Sequence, residues 1–303
     1  MQKTLDLSIK MKEKGTIGKG YCIKDKAQPY ESYMDNEDWY SFEDDMKKNY
    51  SCAYEEYNDG SGGEFKEKNS VPPKMASYGS SSRMIFNLSK ELVKNGFKFE
   101  EKLSTTVGGI ANMDGYFEKE NEQIYVEAKC REPYGAKPHL IEDKYEELYR
   151  YIDNDKSCNL NISVSRDDDA KEENKSKINV KFSVGEMEIT NFDIKQMICH
   201  LLGIATKLLN CPTEKKISFV YLCYNPKLIT IINEKKTRKI YDTYDKMCAQ
   251  CKAIEFKELF SVILKFLKEE KKIGKAGSDD ISSMLKGFSF TLCDQENYLK
   301  TVK

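Results

Sequence analysis

Histidine is scarce in this 303-residue chain: His139 and His200 are the only two, and neither accompanies a serine or cysteine in a nucleophile motif. That argues against hydrolase triads, in which a histidine must take the proton of an adjacent nucleophile. No stretch approaches the roughly 20 apolar residues that cross a bilayer. The opening residues MQKTLDLSIKMKEKG lack the apolar run of a secretion signal. No Walker-type glycine loop is present, so neither membrane insertion nor ATP use is expected. Ten cysteines are scattered through apolar runs, and without an export signal they read as reduced, buried thiols. Cys248 and Cys251 form a CxxC without the second pair that a structural zinc site needs. A cytoplasmic protein is expected.

Tryptophan is represented by Trp39 alone, against 19 Tyr and 14 Phe, so the core must lean on those rings and on Leu and Ile. Hydrophobic residues make up 39% and charged residues 33%, enough for a real core beneath a highly charged surface. An excess of positive charge is also missing, because the net charge is −1. The distribution is uneven, however. Between Glu31 and Gly60 ten acidic residues face only Lys47 and Lys48, leaving 47 basic and 40 acidic residues elsewhere, about +7. Runs such as Lys235–Lys239 can then follow a phosphate backbone or simply solvate a surface.

Residues 1–78 read as an irregular N-terminal extension or cap. Its acidic part carries Trp39 and five tyrosines, too aromatic for a disordered tail. Residues 79–303 read as the main domain. Ser80–Ser82 offer N-caps to a helix with Met84, Ile85, Leu88 and Leu92 on one face, ending at Gly96. Phe97, Phe99 and Leu103 alternate as a strand. The loop Thr105–Gly109 leads to a second strand around Met113–Phe117, and a third spans Ile124–Cys130. The loop's amides suit either a phosphate or a plain connection. An insertion at 133–190 reads as a helix near His139–Tyr151, then strands at Asn159–Ser163 and Lys177–Val184 joined by a charged loop. A long helix follows from Phe192 to Leu209, with a stripe of Ile194, Met197, Ile198, Leu201, Ala205 and Leu208. Ile217–Tyr224 is a buried strand, and the remainder reads as mainly helical. The core order helix, strand, strand, strand, helix, strand predicts an α/β fold whose central mixed β-sheet is flanked by helices.

Successive side chains of a strand point to opposite faces. Ile124, Val126, Ala128 and Cys130 therefore share an apolar face, while Glu127 and Lys129 share the other and are expected to enter one cleft. Asp114 lies on the neighbouring strand, where its carboxylate can reach the same place. Paired carboxylates repel, and a hard cation such as Mg²⁺ relieves that repulsion using one or two of them plus substrate phosphate oxygens. Such a metal polarises a phosphate and lowers the pKa of a bound water. Lys129 would orient the attacking water, help deprotonate it, or stabilise developing charge. Asp114–Gly115 is also an ordinary turn signal, and Glu127/Lys129 an ordinary surface pair. His200, one turn beyond Gln196, either reaches the cleft or is a hydrogen-bonded core histidine.

Asp114…Glu127-Ala128-Lys129 resembles the PD-(D/E)XK motif of the restriction-endonuclease-like superfamily, with Met113 where many members have proline. Further blocks are similar to a group of bacterial proteins assigned as restriction endonucleases within it. These are Gly62-Gly63-Glu64, Pro73-Lys74-Met75, Ser80-Ser81-Ser82-Arg83, Met113-Asp114-Gly115-Tyr116 and Asp193-Ile194-Lys195-Gln196…His200-Leu201-Leu202-Gly203. The similarity spans roughly residues 60–225. It implies a restriction-endonuclease-like αβββαβ core and a Mg²⁺-dependent endonuclease, with Mn²⁺ able to substitute. Metal ligands would be Asp114, Glu127 and the Ala128 backbone carbonyl. The first core helix of members often supplies another acid; here that helix has only Glu91, and Glu64 precedes it. Gln196 or Lys195 would match the polar residue that members place on the helix after the Glu-x-Lys strand. DNA is the implied partner, in restriction or phage defence, and members that cut both strands often dimerise. The same site could serve DNA repair or RNA cleavage, or persist in a module that binds nucleic acid without turnover. The insertion and the acidic segment at 31–60 are the candidate determinants of target choice, the latter as a shield over the cleft.

Overall fold

The computed structural model describes residues 34, 36–60, 63–67, 73–77, 79–130, 140–166, 177–228, 234–271 and 281–303. His139, the charged loop at 167–175 and the side chains of Lys235–Lys239 lie outside the described residues.

From Asn36 onward the acidic stretch is helical, contrary to its irregular reading. Helices α1 (Asn36–Asn49) and α2 (Ser51–Asp59) form there because Trp39, Phe42, Met46, Tyr50, Ala53 and Tyr57 recur every three or four residues, with the carboxylates between them. Met46, Ala53 and Tyr57 are wholly buried. Helices α1 and α2 are thus part of the core. Helix α3 (Ser81–Ser89) begins where Ser80 accepts a hydrogen bond from the Arg83 amide at 3.2 Å. A 3₁₀ turn at Lys90–Asn95 closes it at Gly96, whose φ of 91° suits glycine.

Strands β1 (Lys98–Ser104), β2 (Ile110–Glu118) and β3 (Glu122–Lys129) follow as an antiparallel meander. The insertion holds β4 (Leu140–Glu142), α4 (Glu146–Asn154), β5 (Leu160–Ser165), β6 (Lys177–Val184) and the short β7 (Met187–Glu188). Its helix starts later than predicted because residues 140–142 pair with β6 as a strand. Next come α5 (Ile194–Asn210), β8 (Lys216–Cys223), α6 (Glu234–Ala253), α7 (Phe256–Glu269), α8 (Ile281–Lys286), β9 (Phe288–Asp294) and α9 (Tyr298–Val302). Strand β9 departs from the mainly helical reading of the C-terminal part: Phe288, Phe290 and Leu292 alternate, and the strand pairs parallel to β8.

The main sheet has the order β1-β2-β3-β8-β9, with β3 and β8 parallel and α5 crossing between them. A second sheet, β4-β6-β5, packs Ile162, Ile178, Val180 and Phe182 against the core around α5 and α7. The molecule is therefore α/β, a mixed sheet with helices on both faces. One core lies under α5 and α7 and contains Tyr125, Phe219 and Tyr221; the other lies under α1, α2, α3 and α9 and contains Val126, Ala128 and Leu222. Among the described residues no helix is long and apolar enough to cross a membrane.

Helix α5 approaches the sheet unusually closely at Gly203, where a Cβ would stand 2.9 Å from the Ala111 Cβ and 3.0 Å from the Leu103 Cβ. In an open helix Gly→Ala stabilises by up to about 1 kcal/mol. Here the added methyl meets two side-chain stems that cannot swing away. Gly203→Ala is expected to destabilise the protein by about 1–3 kcal/mol in urea unfolding; a stabilised variant would show that this contact is not tight.

Candidate active site

Strand β3 is buried on both faces, so the expected open cleft beside Glu127 and Lys129 is instead a layer roofed by α5. Glu127 is 1% exposed and Lys129 7%. Removing two charges from water demands local compensation. Lys129 Nζ lies 2.6 Å from Glu127 Oε1 and donates to Gln196 Oε1 at 2.6 Å. Gln196 and His200 are one turn apart on α5, which brings both over the same two residues. Three of the predicted residues thus meet directly: Glu127, Lys129 and Gln196.

His200 joins them, 1% exposed, with Nε2 3.2 Å from Glu127 Oε2. Burial, and then the nearby Lys129 ammonium, lower its pKa to about 3, so the ring is neutral and the contact is not an ion pair. Neither ring nitrogen makes an aligned hydrogen bond to any described residue.

The start of α5 is fixed from two directions. Asp193 caps it by accepting from the Gln196 amide at 3.1 Å. Gln250, fully buried on α6, accepts from the amides of Asn191 at 2.8 Å and Phe192 at 3.1 Å and donates to the Glu188 carbonyl at 2.9 Å. Gln250 lies inside the CxxC segment, whose Cys248 and Cys251 are free thiols. The motif drew attention to the cysteines, whereas the anchoring residue is the glutamine between them.

Asp114 reaches the group from β2. The β2–β3 ladder ends at Gly115 paired with Val126, so Asp114 and Glu127 stand opposite each other one step beyond it. The Asp114 carboxylate accepts from the Ala128 amide at 2.7 Å. On its other side the β1–β2 ladder pairs Phe99 with Gly115 and Glu101 with Met113, placing Glu100 opposite Asp114. Glu100 has φ of 54°, a conformation that non-glycine residues adopt at strained positions. Both strands change face there: Phe99 packs in one core, while Leu103 and Met113 pack in the other.

Glu100 was not among the expected site residues, and only backbone geometry reveals it. Burial, then the charges of Asp114 and Glu64, raise its carboxyl to about 7. Glu64 is thereby placed in the electrostatic neighbourhood of Glu100. It is 4% exposed, with one oxygen 3.1 Å from Lys74 Nζ and the other without a hydrogen bond to any described residue. Around Glu100 the charges of Asp114 and Glu64 outweigh those of Lys74 and Lys102, an imbalance that suits a hard divalent cation. Among the described residues no three His, Cys, Asp or Glu side chains converge closely enough to hold an ion by themselves. A cation here would rest on one or two carboxylates, a carbonyl, waters and phosphate oxygens, the manner of Mg²⁺.

The loop at 105–109 is a closed turn. Thr105 Oγ1 accepts from the Gly109 amide at 3.0 Å, and the Gly108 amide turns back to the Thr105 carbonyl at 3.3 Å. It leans on Tyr145, whose hydroxyl is 3.5 Å from Cys199 Sγ on α5. Comparison with protein-family models, with curated proteins and with solved structures gave no match for this chain in any of the three.

Glu100 binds a proton more tightly in the folded protein than at its ordinary value of 4.5. Folding is therefore favoured at low pH, and that contribution is lost as pH rises from about 4.5 to about 7. In metal-free buffer, Glu100→Gln is expected to unfold at higher urea than the unsubstituted protein at pH 8, by about 1–3 kcal/mol. The gap should close by pH 5; one of equal size at both pH values would contradict the assignment.

Proposed function

We propose that this chain is a metal-dependent nuclease, with Asp114, Glu127 and Lys129 as its reactive centre and DNA as its substrate. The observation that carries the reading is the meeting of adjacent strands. Asp114 stands opposite Glu127 and holds the Ala128 amide, and Lys129, two residues on, is gripped by Gln196. The succession α3-β1-β2-β3-α5-β8, with β3 and β8 parallel, supports the reading because the PD-(D/E)XK resemblance implies that order.

Asp114, Glu127 and the Ala128 carbonyl would hold Mg²⁺ or Mn²⁺, with Glu64 as a further acid nearby. The ion supplies Lewis acidity toward a phosphate oxygen and a more acidic water. The protein's own groups do the positioning. Gln196 aims the Lys129 amine, so Lys129 orients the attacking water or meets charge developing on the phosphate. Asp114, half-buried, forms the more accessible corner by which a phosphodiester would enter. Restriction or phage defence is the role this chemistry suits, with a homodimer as the form that cuts both strands.

The burial of Glu127 favours a second reading. In it the Glu127–Lys129 pair only organises the fold, and the chain binds nucleic acid without cutting it. Plasmid, methylated plasmid and RNA incubated with Mg²⁺ or with EDTA separate the two. The nuclease reading expects Mg²⁺-dependent cleavage, lost in EDTA and reduced at least about 100-fold by Asp114→Asn or Lys129→Met. Binding without cleavage of any substrate would establish the second reading instead.

A further inference from the structure

The edge of a β-sheet presents unpaired N–H and C=O groups that pair with any strand able to reach them. Two long edges of this molecule are guarded. On β1, which also carries Lys98, Glu100, Glu101 and Lys102, the Phe99 amide donates to Glu56 Oε2 of α2 at 2.7 Å. On β5, an edge of the second sheet, the Ile162 amide donates to Asp153 Oδ1 of α4 at 2.8 Å. Strand β9, the other edge of the main sheet, has no such guard. Its residues Phe288–Cys293 include no charge, proline or glycine. In a parallel ladder the residues of a strand turn their polar groups alternately to one neighbour and the other. The Ile217 amide donates to the Gly287 carbonyl at 2.9 Å, so Ser289, Thr291 and Cys293 face β8. The N–H and C=O groups of Phe288, Phe290 and Leu292 therefore point outward, and no described residue is hydrogen-bonded to them. Helix α8, which runs directly into β9, has no buried residue. Its Ile281, Met284 and Leu285 lie half-buried at the margin of the core, as Phe290 and Leu292 do.

We propose that β9 pairs with β9 of a second copy of this chain, antiparallel about a twofold axis at Thr291. The two five-stranded sheets then become one. A second copy is the partner that fits because the strand is complementary to itself in this orientation. Outward backbone groups meet outward groups, with Phe290 opposite Leu292 of the second copy, and the half-buried apolar side chains cover each other. Charge agrees with the geometry. Lys286 stands just before the strand, while Asp294 and the exposed Glu296 stand at its end. Antiparallel pairing lays the basic start of one strand along the acidic end of the other, whereas parallel pairing sets like charges side by side. A twofold contact also closes on itself, leaving no free edge from which further copies would add. This surface supplies the homodimer named above, and it holds whether the chain cuts nucleic acid or only binds it.

Sedimentation velocity of the full chain across a concentration series tests the proposal, with circular dichroism recorded on each variant. The unsubstituted chain is expected to dimerise. Leu292→Pro removes an outward N–H while sparing the ladder to β8, and should give a folded monomer. Lys286→Glu reverses two symmetry-related charge pairs and should weaken the dimer about 10-fold, as should Glu296→Lys. The double variant Lys286→Glu with Glu296→Lys should regain the original affinity; these surface changes do not threaten the fold. A chain that stays monomeric at every concentration overturns the proposal and leaves Mg²⁺-dependent cleavage to be judged separately. A dimer that Leu292→Pro leaves intact, or a double variant no tighter than the single ones, overturns it as well.

Discussion

Glu127 and Lys129 project from a central strand into a layer of helix side chains where water has been excluded, and each must find its counter-charge within that layer. The 2.6 Å pair between them, with Gln196 behind the amine, is how they do so. Helix α5 has to sit at one height and rotation on the sheet for this to work. Several otherwise unrelated features serve that end. Gly203 admits the helix close to β1 and β2, Asp193 caps its first turn, and Gln250 ties down the residues before it. Buried pairs of this kind are weak stabilisers, because desolvation offsets most of the attraction. Keeping one at the centre of the sheet is best explained by what the charges do.

The second half of the site is built on repulsion. Asp114 and Glu100 face each other where β1 and β2 both change face, and Glu64 adds a third carboxyl nearby. Burial first, and then these neighbouring charges, raise the Glu100 carboxyl to about 7. The proposed cation belongs between the two halves, where Asp114 and Glu127 stand across a single strand gap.

Much of this was legible before any coordinates. The strand alternation put Glu127 and Lys129 on one face, and the apolar stripe of α5 was read correctly from Ile194 to Leu208 because helical spacing is a local signal. What local patterns could not convey was the second layer. Nothing in Ile124–Cys130 alone says that the polar face is roofed by α5, so an open cleft was expected. Helices α1 and α2 were hidden by their acidic composition, although Trp39, Phe42, Met46, Tyr50, Ala53 and Tyr57 carry the right spacing. Strand β9 depends on parallel pairing with residues some seventy positions away, which a short alternation does not announce. Glu100 is visible only through its backbone angle, and Gln250 only through its backbone partners.

The central claim is that the buried pair exists for chemistry and not for stability. Replacing both members together, Glu127→Gln with Lys129→Met, removes the charges while keeping nearly the same volume. Urea unfolding and Mg²⁺-dependent plasmid cleavage measured on this one variant decide the matter. The account predicts a cooperatively folded protein, as stable as the unsubstituted chain or more so, with no detectable cleavage. A variant that still cuts at the original rate, or one that no longer folds, would contradict it.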